Sequence, residues 1–271
     1  MKLAEILAAR FGDTPEPAQG CEALAGMAGR GSCRRFAERP VPQDLIETLC
    51  AVALSAPTKS DLQQRDILIV TDTELRAKLD LACQTQAWLS GAPVLLVFLA
   101  NHRRQRRLSA LHGLDFVNHH ADAPFNAAMD AAIAMGAFVT AAEAAGLGCC
   151  PVSAIRNRPD EVAELLSLPD LVFPAMALAL GWPAAEPEIA MRLPLTANLH
   201  QNRFDDTGEE DVIRAYDAAR TAHQPYASQR SAKAFGTSPN YGWSEDKARQ
   251  YALPERAGFG AYLRRIGFSL D

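Results

Sequence analysis

The chain has 271 residues, 48% hydrophobic and 22% charged, with a formal net charge of −5. These values fit a folded chain with a sizeable core and exclude a disordered polymer or one whose overall field attracts nucleic acid. The six cysteines, at positions 21, 33, 50, 83, 149 and 150, form neither a disulfide framework nor a metal-ligand grouping with histidine. A reducing cytoplasm is therefore the expected home, and no secretory signal or membrane partner is expected from the first residues or the apolar runs.

In chain order, residues 1–28 read as a leading helix and a loop, with turn signals at Gly12-Asp13-Thr14-Pro15. A basic-hydroxyl cluster follows, Arg30-Gly31-Ser32-Cys33-Arg34-Arg35-Phe36. Pro42 then sets a helix start, with Leu45, Leu49, Val52 and Ala53 expected on its buried face. The hydroxyl-rich stretch 55–61 ends that helix. Residues 66–71 read as a strand and 73–82 as a helix. Residues 93–100 are apolar on both sides, the pattern of a strand covered on both faces. The arginines at 103, 104, 106 and 107 read as a solvated turn and helix start, or as a site for dinucleotide phosphates.

Residues 125–145 spell a long alanine-rich helix interrupted by Asp130, Thr140 and Glu143, suited to a large core or a subunit interface. A strand after Gly148, a short helix capped by Pro159 and a buried strand over 172–180 complete the core. Cys149 and Cys150 read as buried thiols, with a reactive pair as the alternative. The polar tail 201–271, with aromatic anchors such as Tyr226, Tyr241, Trp243 and Phe268, suits an arm laid over another surface.

Arg30, Ser32 and Arg34, with the distant Arg192, form a set able to hold a phosphate monoester, because a guanidinium presents a planar fork of donors to oxygen. Each segment alone also reads as ordinary solvated surface. Their order along the chain adds information. Arg-x-Ser-x-Arg-x-Phe (30–36), Pro-Val-Pro (40–42), Ala-Pro-Thr-Lys-Ser-Asp-Leu-Gln (56–63) and a strand closing in Val-Thr-Asp resemble the nitroreductase family. The stretch 141–148, then Ile155-Arg156-Asn157, Leu168-Pro169, Leu180-Gly181-Trp182-Pro183 and Arg192-Leu193-Pro194 resemble its NADPH-dependent, oxygen-insensitive nitroreductase and flavin reductase P subgroup. So do Tyr226-x-x-x-Arg230, Trp243-Ser244 and the pattern from Tyr262 to Phe268.

The resemblance implies an α+β fold, a mixed central sheet wrapped by helices, an extended C-terminal arm and an intertwined homodimer. It divides the chain into a leading helix and loop (1–23), an FMN-binding core (24–200) and an arm packed on the core and the partner subunit (201–271). FMN would be the cofactor and NADPH the electron donor, with NADH possible. A small-molecule acceptor, namely a nitroaromatic, a quinone or free flavin, would be reduced by ping-pong hydride transfer through the flavin N5, without acid–base or metal residues. Arg30, Ser32, Arg34 and Arg192 would hold the FMN phosphate, and Thr58, Ser60, Gln63 and Gln84 the ribityl chain and ring. Val152, Ser153 and Ala154 would run beside the ring, and Lys59 would lie near its N1 and O2. The donor's 2′-phosphate would meet Arg230, with Arg103 and Arg107 behind it.

The chain departs from the subgroup at Gly31 and Ala190, where cations are usual, and at Ser153-Ala154, where a Gly-Gly step is usual. Two lost charged hydrogen bonds, about 1.5–3 kcal/mol each, would weaken phosphate binding, with Arg35 and Arg156 as available replacements. Two other readings stay open: a flavoenzyme of the same fold using oxygen as acceptor, and a non-catalytic flavin-binding protein.

Overall fold

A computed structural model describes residues 1–12, 14, 16–84 and 88–271. Asp13 and Pro15 of the expected first turn lie outside the described residues. In chain order the elements are α1 (Leu3–Phe11), α2 (Ala25–Ala28), α3 (Gln43–Leu54), β1 (Arg65–Val70), α4 (Thr73–Cys83) and β2 (Val94–Asn101). Then come α5 (Arg103–Leu111), α6 (Asp122–Ala144), β3 (Gly148–Val152), α7 (Pro159–Leu165) and β4 (Val172–Gly181). The last are α8 (Glu209–His223), α9 (Ala232–Phe235), α10 (Trp243–Tyr251) and α11 (Phe259–Arg265). The chain forms two compact units, Met1–Gly31 with Glu188–Glu255, and Ser32–Pro187 with Arg256–Asp271.

The larger unit is built on a sheet of order β1-β2-β4-β3. Every pairing among its described strands is antiparallel, so one chain contributes no parallel pair to the mixed sheet expected. Strand β2 is buried on both sides, as its unbroken apolar run requires. Leu96, Phe98 and Ala100 face a core shared with α3 and α6, while Leu95, Val97 and Leu99 face one shared with α4 and α7. The period-2 alternation of a strand thus feeds two separate cores. Residues 256–271 return to the first of these cores through Tyr262, Leu263 and Phe268, and the Leu171 amide donates to the Ile266 carbonyl at 2.8 Å.

Helix α6 is long and apolar enough to cross a membrane by length and composition. Its inner face instead covers the sheet: Ala127, Ala131, Ala134, Phe138 and Ala142 are fully buried in the core. Small side chains there let the helix approach the strands closely. The outer face carries Phe125, Met129 and Ile133, which are 63%, 44% and 41% exposed. Helix α3 buries Ile46, Leu49 and Ala53, whereas Val52, expected inside, is exposed beside Leu54. The helical stripe is rotated by about one position from the one read in the sequence.

In the smaller unit, the buried Arg10 of α1 is the organising side chain. Its guanidinium donates to the carbonyls of Ala28 at 2.5 Å and Ala190 at 2.9 Å, and to that of Arg30. Its own carbonyl accepts the Arg192 amide at 2.6 Å. Helices α8 and α10 meet through Tyr216 and Trp243, edge to face at 5.3 Å, and through Asp217, which accepts the Ser244 amide at 2.9 Å. Residues 201–271, expected as an arm, hold four helices: α8, α9 and α10 in this unit and α11 in the larger one.

Candidate functional site

The basic-hydroxyl cluster straddles the boundary between the two units, which falls between Gly31 and Ser32. On the larger unit, Cys33 points inward and its amide donates to the Cys149 carbonyl at 3.0 Å. Ser32 and Arg34, on either side of it, point outward and are exposed. Two glycines make the seat. A Cβ on Gly148 would stand 2.6 Å from Cys33 Cβ and Sγ, and one on Gly181 would stand 2.8 Å from Phe36 and Pro93. These glycines face each other in the β3–β4 register, so the strand pair is bare of side chains where the segment crosses it. Farther on, the Ala37 amide donates to the Trp182 carbonyl at 2.8 Å. The Arg34 guanidinium lies 5.9 Å from the centre of the Trp88 ring.

Gln84 caps α4 in the left-handed conformation (φ 59°) with its side chain exposed. The adjacent Cys83 carbonyl accepts from the Asn157 amide group at 2.9 Å, and Asn157 in turn accepts from Arg256 at 3.1 Å. That bond ties the end of α4 to the 3₁₀ turn Ser153–Arg156, which leaves β3 at Val152. Val152 is buried, Ser153 is exposed, and Ala154 packs with Trp88 and Phe36 on the α4–α7 core. Ser32, Arg34, Gln84 and residues 152–154 therefore share one face and edge of the sheet. Arg156 donates to the Ala175 carbonyl, and burial lowers its pKa. It is turned into the fold, and so is a poor replacement for a phosphate-binding cation.

Residues 58–63 form a second cluster. Ser60, Asp61 and Gln63 all have positive φ, at 48°, 55° and 51°. Such conformations cost non-glycine residues about 1–3 kcal/mol each and persist only when neighbours over-determine them. The neighbours do so here. The Asp130 carboxylate, 1% exposed in the middle of α6, accepts the Lys59 amide at 2.9 Å and the Gln64 amide at 3.0 Å. Buried Arg65 donates to the carbonyls of Leu54 and Ala56, each at 2.7 Å, holding the end of α3. Arg104 donates to the Gln63 carbonyl, and Gln105 to that of Leu62 at 2.7 Å. The backbone is fixed from behind, while the side chains of Lys59, Ser60 and Gln63 stay exposed and Thr58 is half-buried.

This second cluster is held by α6, on the sheet face opposite α4. Within one chain the structure does not bring Thr58, Lys59, Ser60 and Gln63 to Ser32, Arg34, Gln84 and residues 152–154. A molecule on one chain touching both sets would have to reach around a four-stranded sheet. In the smaller unit, Arg30 and Arg192 are brought together by their backbones, both bonded to Arg10. Of the candidates for a donor phosphate, Arg230 sits in the smaller unit with its Nε 3.3 Å from the buried Asp246. Arg103 and Arg107 line a cleft of about 230 Å³ in the larger unit, beside the ion pair of Arg104 and Asp66 at 2.6 Å.

The sequence alone assigns no role to Arg10, Arg65, Trp88, Asp130 or Asn157, although Asp130 interrupts the long helix and Asn157 stands in one of the motifs of the resemblance. Asp130 carried a readable signal, a lone carboxylate in the inner half of an alanine-rich helix. The others are ordinary in sequence and acquire their roles only from partners far along the chain.

Comparison with known proteins decides the family. The model of the nitroreductase family matches residues 27–182, and that of the family's C-terminal domain matches residues 191–271. The chain belongs to the nitroreductase family. The oxygen-insensitive NADPH nitroreductase of Salmonella typhimurium is 33% identical over 245 residues, covering 90% of this chain and 96% of that protein. The FMN reductase [NAD(P)H] of Bacillus subtilis is 30% identical over 253 residues, covering 92% and 99%. Among solved structures, B. megaterium NfrA2 superposes with a TM-score of 0.83 at 28% identity, covering 92% of this nitroreductase and 98% of its own chain. The chain is an oxidoreductase of this α+β fold, a central sheet flanked by helices.

Proposed function

We propose that this nitroreductase is a cytoplasmic FMN-dependent NAD(P)H oxidoreductase with ping-pong turnover, acting as a homodimer on a nitroaromatic, quinone or free-flavin acceptor. The observation that carries the reading is the pair of polar clusters in the larger unit, each with outward side chains on a backbone locked from behind. Such preorganisation suits a ligand that must be held rigidly. FMN, when bound, supplies the two-electron store between donor and acceptor.

The residues fit that group. Ser32 and Arg34 offer a hydroxyl and a planar fork for the phosphate, on a segment pinned by Cys33 and seated over Gly148 and Gly181. Gln84 and residues 152–154 stand on the same edge, where amide groups meet the heteroatoms of a flat ring. Thr58, Ser60 and Gln63 offer short polar groups for a polyol or a ring edge, and Lys59 brings a cation that favours an anionic ring. The contributions of Arg30 and Arg192 to the phosphate rest on the resemblance alone.

The two clusters serve one ligand only if a second copy brings its own residues 58–63 to the first copy's residues 32–36. The uncovered apolar face of α6 supports this assembly, because Phe125, Met129 and Ile133 are exposed at successive helical turns. The six free thiols suit a reducing compartment.

The test is an anaerobic absorbance titration of the purified protein with one equivalent of FMN, then NADPH or NADH. Bleaching of the flavin band near ~450 nm supports the reading, and the ratio of rates sets the donor. Bound flavin that neither nucleotide bleaches favours an oxygen-using enzyme or a carrier. Absence of bound flavin removes the cofactor site.

A further inference from the structure

A cleft of about 230 Å³ opens where the start of α5 meets the ends of β1, β2 and β4. Leu99, Leu168 and Val172 give it apolar walls, and Arg103, Arg104, Arg107 and one acid, Asp66, supply its charge. Both oxygens of the acid are taken, one by Arg104 at 2.6 Å and the other by the Asn101 amide group. Arg104 is committed at a second nitrogen too, which donates to the Gln63 carbonyl. The other two arginines are not engaged in this way. Arg103 Nε is buried without a hydrogen-bond partner, and neither Arg103 nor Arg107 pairs with a carboxylate among the described residues.

Arg103 and Arg107 stand four residues apart on α5, a spacing at which like charges face each other and repel. Apolar walls strengthen that repulsion by lowering the local dielectric. An oxyanion relieves both defects at once, because it bridges the two charges and accepts from a donor otherwise left unmade. The cleft also limits what that anion can be. Its volume lies below the roughly 300 Å³ at which pockets for drug-sized ligands begin. Among the described residues no aromatic ring lines it to take a base. The donor-phosphate role that the resemblance leaves to Arg103 and Arg107 therefore finds no seat for a nucleoside here.

We propose that Arg103 and Arg107 bind a phosphate dianion, free or as a small monoester, at a site separate from the segment 32–36. Arg104, between them in sequence, holds the Gln63 carbonyl, so an occupied cleft also steadies the end of the loop 58–63. The binding itself does not depend on the flavin reading above.

The experiment is calorimetric titration of the FMN-loaded full-length protein with inorganic phosphate and with glycerol 3-phosphate, at fixed ionic strength so that screening is constant. One saturable site is expected. Arg103→Ala is expected to weaken it about tenfold, the scale of one charge-assisted contact, and the exposed Arg107→Ala about threefold. Arg106→Ala removes the same charge from the same helix at a position outside the cleft, and is expected to change affinity less than about twofold. Tighter binding of the ester assigns the monoester and equal binding the free ion; both support the site. Hydrogen exchange over 58–63 is expected to slow with phosphate in the native chain and not in Arg103→Ala; unchanged exchange with phosphate bound overturns the link to the loop. Absence of saturable binding overturns the proposal. So does equal weakening in Arg106→Ala, which reduces the effect to diffuse charge. Loss of binding in Arg34→Ala with none in Arg103→Ala or Arg107→Ala moves the ion to the segment 32–36 and overturns it as well. If the protein holds no FMN, the flavin reading fails on its own, while the same titration of unloaded Arg34→Ala still reports on this cleft.

Discussion

The Asp130 carboxylate is a charge buried among alanines, and two backbone amides from a loop more than sixty residues away explain it. Removing it leaves both amides without their acceptor inside the fold. Asp130→Ala is expected to destabilise the protein by about 3 kcal/mol, at the upper end for a lost charged hydrogen-bond partner, read as a lower denaturation midpoint. FMN retention should fall with it, because residues 58–63 lose their clamp.

Asp246 gives a second test at this scale. Burial pushes its pKa up, but bonds from Lys247 and Tyr241 outweigh that, and the net value lies below the ordinary 3.8. A lowered folded-state value means that its contribution is complete above the unfolded pKa and is lost as pH falls through the folded one. The stability gap between the native chain and Asp246→Asn should therefore stay constant from neutrality down to about pH 5 and close below about pH 4. Denaturant midpoints across that range would check it. Neither Asp130 nor Arg10 could be assigned its role from sequence. Asp130 is conspicuous as a lone carboxylate among alanines, but the distant backbone that such a side chain serves leaves no local pattern, whereas Ser32 and Arg34 stand out because their chemistry lies in adjacent residues.

Among the elements, Gly148 and Gly181 decide whether the segment 32–36, proposed to hold the FMN phosphate, can lie on the sheet. Gly148→Ala places a methyl group 2.6 Å from Cys33, an overpacking that typically costs about 1–3 kcal/mol. The expected result is a modest fall in thermal midpoint together with a larger loss of FMN affinity, because the displaced segment carries Ser32 and Arg34. A fall in stability with unchanged FMN affinity would separate the segment from the ligand. The elements themselves were largely legible. Strand β2 announced its double cover by an unbroken apolar run, and α7 by Pro159 at its first turn. The exception in α3 is instructive: Val52 is as apolar as Ile46, and periodicity alone does not say which flank of a stripe meets the core. The loop at 58–63 was recognised by composition, but its three left-handed residues were not, since none is glycine.

For the whole molecule, the outer face of α6 is the strongest pointer to assembly. Ile133→Asp sets a charge in the middle of that face without touching the core. It is expected to shift the protein to monomer in sedimentation or scattering and to release FMN, since the two clusters then lie on separate molecules. A dimer that persists with its flavin would move the interface elsewhere. The composition of this helix suits a core or an interface but does not apportion its two faces, because alanine suits both.

The opposite-face placement of the clusters has a genetic reading. In the proposed dimer each flavin site takes residues 32–36 from one chain and residues 58–63 from the other. A chain carrying Arg34→Ala and a chain carrying Asp130→Ala would each be inactive as homodimers. In a mixed dimer both lesions fall on one site, and the other is assembled from two unaltered halves. Random pairing of equal amounts would restore about one quarter of the wild-type sites. Two dead alleles would thus complement each other when expressed together, and mixing after each has dimerised would restore activity only as fast as subunits exchange.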